Sequence, residues 1–154
     1  LVVKQARELG FKGGFIIMDQ AKMDEMARVL GGYGPLEGSI GTMPLVADSR
    51  PGAQAFVERF RKAYGADKDP TSEMSLNYTA TWVIADAMKL AGTTSDPAKI
   101  RAQADKAAAS LSKEHNPNEI EGVAENGAFK ADVVVGVVED GKIRQVRLSE
   151  LMKD

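Results

Sequence analysis

FVERFRKAYGADKDPTSEMSLNYTATWVIADAMKLAGTTSDPAKIR, residues 56–101, is the stretch that decides how this chain is organised. Four residues that end or begin helices divide it, namely Gly65, Pro70, Gly92 and Pro97. Glycine ends helices because it adopts left-handed backbone angles without strain, and proline suits a loop or a first helical turn. The stretch therefore predicts three consecutive helices.

The middle helix, predicted over residues 73–91, is apolar around most of its circumference. Only a narrow polar line interrupts it, formed by Ser75, Thr79, Asp86 and Lys89. A helix with such a wide apolar surface is expected to be largely buried, against a sheet or between other helices.

The amino-terminal end of this middle helix is a candidate ligand-binding site, because the first N–H groups of a helix have no partner within it. Met74, Ser75 and Tyr78 lie there. Tyr78 has two interpretations, a pocket wall or a core aromatic with a locally satisfied hydroxyl, and the residues leave both open. Trp82, one turn further on, is expected in the core.

The helices on either side are expected to pack through one face each. Pro51 suits the first turn of the preceding helix, with Asp48 or Ser49 as its cap. Asp96 is the expected cap of the following helix, which ends near Leu111 and carries an alanine-rich stripe.

The amino-terminal third of the chain alternates helix and strand. A helix ends at Gly10, an apolar strand spans residues 15–18, a second helix spans 23–30, and a second strand spans 38–46. Parallel strands need crossover helices, so this order predicts an α/β fold with a parallel sheet. The unbroken apolar run of the first strand is typical of a strand buried on both faces.

Asp19 stands directly after the first of these strands. Ligands of open α/β sheets bind outside the carboxyl ends of the strands, which makes Asp19 a candidate contact. Aspartate in this position also commonly caps the following helix. Both roles stay open on the residues alone.

The carboxyl-terminal part is predicted to be β structure. Asn126-Gly127 and Asp140-Gly141 are hairpin-turn pairs, and the apolar run 132–138 lies between them. Residues 142–148 would pair back across the second turn. Their apolar side chains alternate imperfectly, so this strand is expected to be an exposed edge or to contain a bulge.

Composition excludes several classes of protein. The chain of 154 residues has no cysteine, hence no disulfide and no thiolate metal site. Its 22 acidic and 20 basic residues give a net charge of −2, which argues against a nucleic-acid surface. No apolar run reaches membrane-spanning length, and residues 1–10 lack the order of residues typical of a signal peptide. The start of the sequence is therefore expected to be internal, either a matured end or a cut.

Catalytic and cofactor motifs are missing from the sequence. The single histidine, His115, lies in a polar loop and is expected to be exposed to solvent. No metal-ligand spacing, nucleophile elbow or phosphate loop is present. We therefore expect a protein that is not an enzyme and that has no cofactor and no metal.

The order of the segments resembles the carboxyl-terminal portion of periplasmic branched-chain amino-acid-binding proteins, the type I solute-binding proteins of ABC transporters. The resemblance covers nearly the whole chain. Its pieces, in order, are QARELGFKG, FIIMD, a short helix, EGSIGTMPL, FVERFRKAYG with a following DP, LNYTATWVIADAMKLAG, DPAKIR and VVEDGKIRQV.

The resemblance implies a partial type I periplasmic-binding-protein fold with a parallel-sheet lobe, a helical segment from the other lobe and a carboxyl-terminal β-hairpin. Residues 1–46 would form the α/β half of the second lobe. Residues 47–114 would be helices normally packed on the first lobe, and 115–154 would return to the second lobe. Hinge crossings would fall at 43–45 and 119–122.

The resemblance also implies roles for particular residues. Asp19 falls close to where amino-acid-binding members place an acidic residue against the ligand ammonium. Met74, Ser75 and Tyr78 match the part that contributes a pocket wall. The loop at residues 20–23 departs from the glycine-rich pattern of the family, and its Lys22 would instead favour an anionic ligand.

The implied function is non-covalent capture of an amino acid or related organic acid for an ABC permease, in the periplasm or outside the cell, with lipoprotein anchoring left open. The first lobe is not in these residues, so weak ligand binding or none is expected. The helices would expose apolar surface, which predicts a homo-oligomer or swapped dimer, or helices repacked on the chain's own sheet. A receptor or regulator domain that senses a ligand with the same fold is the alternative.

Overall fold

The computed structural model describes residues 2–18 and 21–153, which form two compact units. One unit comprises Leu1–Asp48 and Val133–Asp154, and the other comprises Ser49–Asp132. We call them the sheet unit and the helical unit.

Helices and strands occur in both units. The helices are α1 (Val2–Glu8), α2 (Met23–Leu30), α3 (Pro51–Tyr64), α4 (Ser72–Ala91), α5 (Pro97–Ala109) and α6 (Leu148–Leu151). The strands are β1 (Ile16–Ile17), β2 (Ile40–Gly41), β3 (Gly122–Val123), β4 (Phe129–Lys130), β5 (Val134–Glu139) and β6 (Lys142–Arg147). Short 3₁₀ turns occupy Gly34–Leu36 and Leu45–Ala47.

The sheet unit contains a four-stranded sheet in the order β1-β2-β5-β6. β1 and β2 are parallel, with Ile16 opposite Ile40. β5 is antiparallel to β2 and to β6. The predicted α/β architecture, with a parallel strand pair and a carboxyl-terminal hairpin, is confirmed.

Two strand predictions need correction. The strand predicted over residues 38–46 is only two residues long, because the chain leaves the sheet after Gly41 and turns at Leu45–Ala47. The β5–β6 pairing is continuous from Val134 to Glu139, so the bulge alternative is wrong and β6 is a regular edge strand. Asp140 and Gly141 have φ angles of 53° and 68°, the left-handed values that a two-residue hairpin turn requires.

The start of the sheet is held by the polar side chain of Ser39. Its hydroxyl accepts a hydrogen bond from the Phe15 N–H at 3.0 Å, and its carbonyl accepts one from the Val138 N–H at 2.9 Å. Gly14 passes so close to Gly38 that a Cβ on Gly14 would lie 1.9 Å from the Gly38 carbonyl oxygen. These contacts bring β1, β2 and β5 into one sheet.

Arg7 on α1 fastens two loops of the sheet unit. Its guanidinium donates to the carbonyls of Phe11 at 2.7 Å and Gly13 at 2.8 Å. It also donates to the carbonyls of Pro35 at 2.8 Å and Glu37 at 3.3 Å. A planar fork of donors suits such a set of acceptors, and a single ammonium group does not.

The core of the sheet unit lies on one face of the sheet. Val3, Ile17, Met23, Leu36 and Val138 form it. On the opposite face Ile16 is 78% exposed, so the prediction that β1 is buried on both faces is wrong. The reason is that α1 and α2 pack on the same side of β1.

The helical unit is built around the contact between α4 and α5. Its buried cluster consists of Val83, Ala87, Ala107, Ala108 and Ile120. Thr71 caps α4 by accepting the Met74 N–H, and Asp96 caps α5 by accepting the Lys99 N–H, as expected for Asp96. The residue at the cap position of α3 is Arg50, not the predicted Asp48 or Ser49.

The face of α4 that is buried is not the one predicted. Ser75 and Thr79, expected on a polar line, are fully buried. Met74, Leu76, Ile84 and Leu90 are exposed by two fifths or more. The helix is therefore not largely buried among the described residues.

Substituting Arg7 tests its role in the sheet unit. Arg7→Lys should lower the free energy of unfolding of this unit by about 2 kcal/mol, because lysine cannot bond carbonyls of both loops at once. Arg28→Lys, an exposed position on α2, is the matched control and should change it by less than about 0.5 kcal/mol. Amide hydrogen exchange across residues 2–48 measures both, and equal effects would contradict the assignment.

Candidate functional site

The carboxyl edge of β1 and β2 is the first candidate site, in the sheet unit. The Thr42 N–H donates to the Ile17 carbonyl at 3.0 Å, and the Thr42 hydroxyl donates to the Ala21 carbonyl at 3.1 Å. The Met23 N–H donates to the Thr42 carbonyl at 3.4 Å. The chain leaving β1 is thus fixed beside the end of β2, where ligands of α/β sheets bind.

Asp19 belongs to this edge in sequence, between Met18 and Ala21, but it lies outside the described residues. Its role as a ligand contact stays a prediction. Lys22, which departs from the family pattern, occupies the cap position of α2. In the sequence, Asp19 and Lys22 are residues of opposite charge three positions apart.

Asp24 and Tyr33 of the sheet unit influence each other electrostatically. One carboxylate oxygen of Asp24, in the first turn of α2, is buried and accepts no hydrogen bond from the described residues. Burial raises the pKa of the Tyr33 hydroxyl, and the charge of Asp24 raises it further. Tyr33 therefore stays protonated at neutral pH.

The second candidate site is a cleft of about 460 Å³ between α3 and α4, in the helical unit. We call it the aromatic cleft. Its lining residues are Phe56, Arg59, Phe60, Ala63, Tyr64, Met74, Asn77, Tyr78 and Thr81. A cleft of this size, with mostly apolar walls and a few polar groups, is typical of small-molecule sites.

The aromatic side chains of the cleft form a continuous row. The ring centroids of Tyr64 and Phe60 are 4.6 Å apart, and those of Phe56 and Tyr78 are 5.1 Å apart. Phe60 joins the two pairs, with its centroid 6.4 Å from that of Phe56. Tilted rings at these distances attract each other, which fixes α3 against the start of α4.

The structure separates the three site residues predicted on α4. Met74 and Tyr78 line the aromatic cleft, one turn apart. Ser75 is on the buried face of the same helix. The Met74 N–H donates to the Thr71 hydroxyl at 3.3 Å, so this donor at the helix start already has a partner.

A buried polar network occupies the other face of α4. The Ser75 hydroxyl lies 3.0 Å from the Asn118 carbonyl oxygen Oδ1, and the Asn118 amide donates to the Thr79 hydroxyl at 3.1 Å. The Thr79 hydroxyl donates to the Ser75 carbonyl at 3.0 Å. This network holds the loop at residues 116–120 against the first half of α4.

Further hydrogen bonds, from Asn116 and Arg50, stabilise the loop at residues 116–120. The Asn116 side chain bonds both the N–H and the carbonyl of Ile120, at 2.7 and 2.8 Å. The Arg50 guanidinium donates to the Asn118 carbonyl at 3.1 Å. No spacing in the sequence indicated this network, because its partners are about forty residues apart.

His115 is placed differently from its prediction as an exposed loop residue. It is half-buried and stacks on Trp82, with ring centroids 3.5 Å apart and an angle of 8° between the rings. Its centroid is 6.3 Å from that of Tyr78. The prediction is wrong because the polar composition of the loop does not reveal the aromatic surface beneath it.

A charged cluster joins α5 to the β3–β4 hairpin. The Asp105 carboxylate accepts from the Lys130 ammonium at 2.9 Å and from the Val123 N–H at 2.8 Å. The hydrogen bond from Lys130, followed by that from Val123, lowers the pKa of Asp105. These bonds satisfy the cluster internally, which gives it a structural role.

The described residues contain neither a cluster of metal ligands nor a membrane-spanning helix. Within residues 2–18 and 21–153, no three His, Cys, Asp or Glu side chains lie together as metal ligands would. In the same part of the chain no helix combines the length and apolar character needed to cross a membrane.

The sheet unit is an open α/β sheet whose parallel strands β1 and β2 end beside Thr42, and in this class of fold ligands bind at the carboxyl ends of the strands. Residues 1–142 match the sequence model of the family described as periplasmic binding protein. This chain therefore belongs to the periplasmic binding protein family.

Among solved structures, the chain is similar to the leucine-binding protein LivK from Thermotoga maritima. The two share 30% sequence identity with a TM-score of 0.61. The similarity covers 97% of this chain and 42% of the LivK chain. No curated protein matches the chain significantly. The predicted family and its partial type I fold are confirmed.

Two threonines two residues apart on α4 test the buried network. Thr79→Ala removes the acceptor of the half-buried Asn118 amide, and should lower the free energy of unfolding of the helical unit by about 1–3 kcal/mol. Thr81→Ala removes an exposed hydroxyl and should cost less than about 0.5 kcal/mol. Urea unfolding followed by the single tryptophan, Trp82, measures both variants. Equal midpoints would contradict the network.

Proposed function

We propose that this chain is part of a solute-binding protein that captures a small molecule, an amino acid or related organic acid, and delivers it to an ABC importer. Membership of the periplasmic binding protein family carries the proposal, and the similarity to LivK over 97% of the chain supports it. The place of action would be the periplasm or the outside of the cell. Binding would be non-covalent and without catalysis.

The carboxyl edge of the sheet unit is the first element of the proposed site. LivK is a leucine-binding protein, and an α-amino acid carries an ammonium group. A carboxylate is the complementary partner of that group, which supports a contact with Asp19. Thr42 holds the ends of both strands together beside it.

The start of α4, in the helical unit, is proposed separately as a ligand contact. Met74 and Tyr78 are proposed to contact a ligand as lining residues of the aromatic cleft. Ser75 is proposed to act indirectly. Its hydroxyl is bonded to Asn118, and this contact helps to fix the rotation of α4 about its axis. The site assignment of all three follows from the resemblance and from the placement of α4.

The lobe assignment is part of the same proposal. Residues 1–46 and 115–154 are assigned to one lobe and 47–114 to the other, with hinge crossings at 43–45 and 119–122. The contact-defined units change at 48–49 and again at 132–133. The first boundary lies close to the proposed crossing, and the second lies about ten residues beyond it.

Ligand titration tests the proposed function. Because binding by these residues is expected to be weak, L-leucine at millimolar concentration should be followed by amide chemical shifts in NMR spectra. The shifts should move at Met18, Ala21, Lys22 and Thr42, and Asp19→Asn should weaken binding roughly tenfold or more.

Asp67→Asn is the matched control for that titration, because Asp67 is an exposed residue of the helical unit that pairs with its neighbour Lys68. It should leave leucine binding unchanged. Shift changes that avoid the strand ends, or that persist in Asp19→Asn, would contradict the proposed site.

Association is a further part of the proposal. Leu76, Ile84 and Leu90 expose apolar surface on α4, and such surface favours contact with a second copy, by simple packing or by exchange of elements.

Size-exclusion chromatography with light scattering tests association directly. The mass should rise with concentration, and Ile84→Gln should reduce the rise because it removes an apolar contact. Lys106→Gln, exposed on α5, is the control. A constant monomer mass across concentrations would contradict association.

A further inference from the structure

The aromatic cleft has mostly apolar walls, and Arg59 is the cationic residue of its lining. Phe60, Tyr64, Met74 and Tyr78 supply ring faces and a thioether, and Tyr64 is 69% exposed although its ring packs on Phe60. Ring faces and a methionine sulfur attract a further aromatic ring better than they attract a branched aliphatic group. The cleft volume of about 460 Å³ suits a ligand of one or two rings.

Arg59 provides the positive charge in the lining of the cleft. Its guanidinium carbon is 5.9 Å from the centroid of the Tyr78 ring. One of its nitrogens donates to the Glu114 carbonyl at 2.7 Å, while the Glu114 carboxylate is 3.9 Å from the other. The contact with the carboxylate is thus longer than a hydrogen bond, and it lies between side chains that are 38% and 65% exposed.

The Arg59 guanidinium can therefore bind an anion that forms shorter hydrogen bonds with it than the Glu114 carboxylate does. An arginine side chain has five N–H donors, and one hydrogen bond engages one of them. A planar carboxylate matches two parallel donors of the fork. Glu114 would return to water when such a carboxylate arrives, which costs little for an exposed pair.

We propose that the aromatic cleft binds an aromatic carboxylate, with the ring between Phe60 and Met74 and the carboxylate on Arg59. The proposal rests on the solute-binding function proposed above and specifies a ligand class for the α4 residues. The aromatic walls favour a ring over an aliphatic chain, and the single cation favours one negative charge over a phosphate dianion. The site lies wholly within the helical unit.

Phenylacetate is a suitable probe, with phenylacetamide as its neutral analogue and cyclohexylacetate as its non-aromatic analogue. Phenylacetate should shift the amides of residues 56–64 and 74–81 in NMR spectra in a saturable way. Both analogues should bind more weakly, phenylacetamide by roughly tenfold or more because it cannot form the charged bond to Arg59.

Two variants should change phenylacetate binding in opposite directions. Arg59→Gln should weaken it roughly tenfold or more, because the charged donors are lost. Glu114→Gln should strengthen it, because the competing carboxylate is gone. Arg61→Gln is the matched control, since Arg61 bonds Asp69 and lies outside the cleft lining. An unchanged spectrum without ligand establishes that each variant is folded.

Other results would overturn the proposal. They are equal binding of phenylacetate and phenylacetamide, equal affinity in Arg59→Gln and Arg61→Gln, or shifts outside the cleft. L-leucine in the same titrations separates this proposal from the wider one. Leucine shifts at Thr42 without phenylacetate shifts at residues 56–64 would refute only the aromatic ligand, and the reverse result would refute only the leucine site.

Discussion

The hydrogen bonds of Asn118 to the first half of α4 are the constraint on which the helical unit depends. A buried hydroxyl without a partner is costly, and those of Ser75 and Thr79 have acceptors in their own helix, the Ser72 and Ser75 carbonyls. The half-buried Asn118 side chain adds a contact to each of them. Their pairing fixes the rotation of α4 about its axis. With Ser75 and Thr79 turned inward, Met74 and Tyr78 necessarily flank the aromatic cleft, which is how a structural network positions the candidate site.

The sheet unit is also held by side-chain hydrogen bonds, although from other residue types. Short strands provide few ladder hydrogen bonds, and β1 and β2 pair over only two residues each. Side chains supply the missing connections, through the Ser39 hydroxyl on Phe15 and the Arg7 guanidinium on loop carbonyls. These contacts hold the start of the strands, and the hydrogen bonds of Thr42 hold their carboxyl ends.

Local signals made part of this structure predictable from sequence. The bounds of α2 follow from Gly31, whose φ of 82° ends the helix, and the β5–β6 hairpin follows from Asp140-Gly141. The burial of Ser75 and the stacking of His115 on Trp82 depend on partners distant in the chain, which periodicity cannot show. Periodicity in fact predicted the opposite face of α4, since it counts apolar residues and takes no account of a polar network.

The exposure of Glu114 decides whether a ligand carboxylate can replace the Glu114 carboxylate beside Arg59. A buried ion pair resists substitution, because one charge left alone in the interior costs several kcal/mol. The pair of Arg59 and Glu114 is exposed and its charged atoms are 3.9 Å apart, so separating them costs at most about 1 kcal/mol. A bidentate carboxylate on Arg59 would add a shorter, charge-assisted bond, and its ring would cover side chains now in contact with water. The Arg59 guanidinium is therefore held in place by its hydrogen bond to the Glu114 carbonyl. It can still bind an anion, because little free energy is lost when the Glu114 carboxylate moves away.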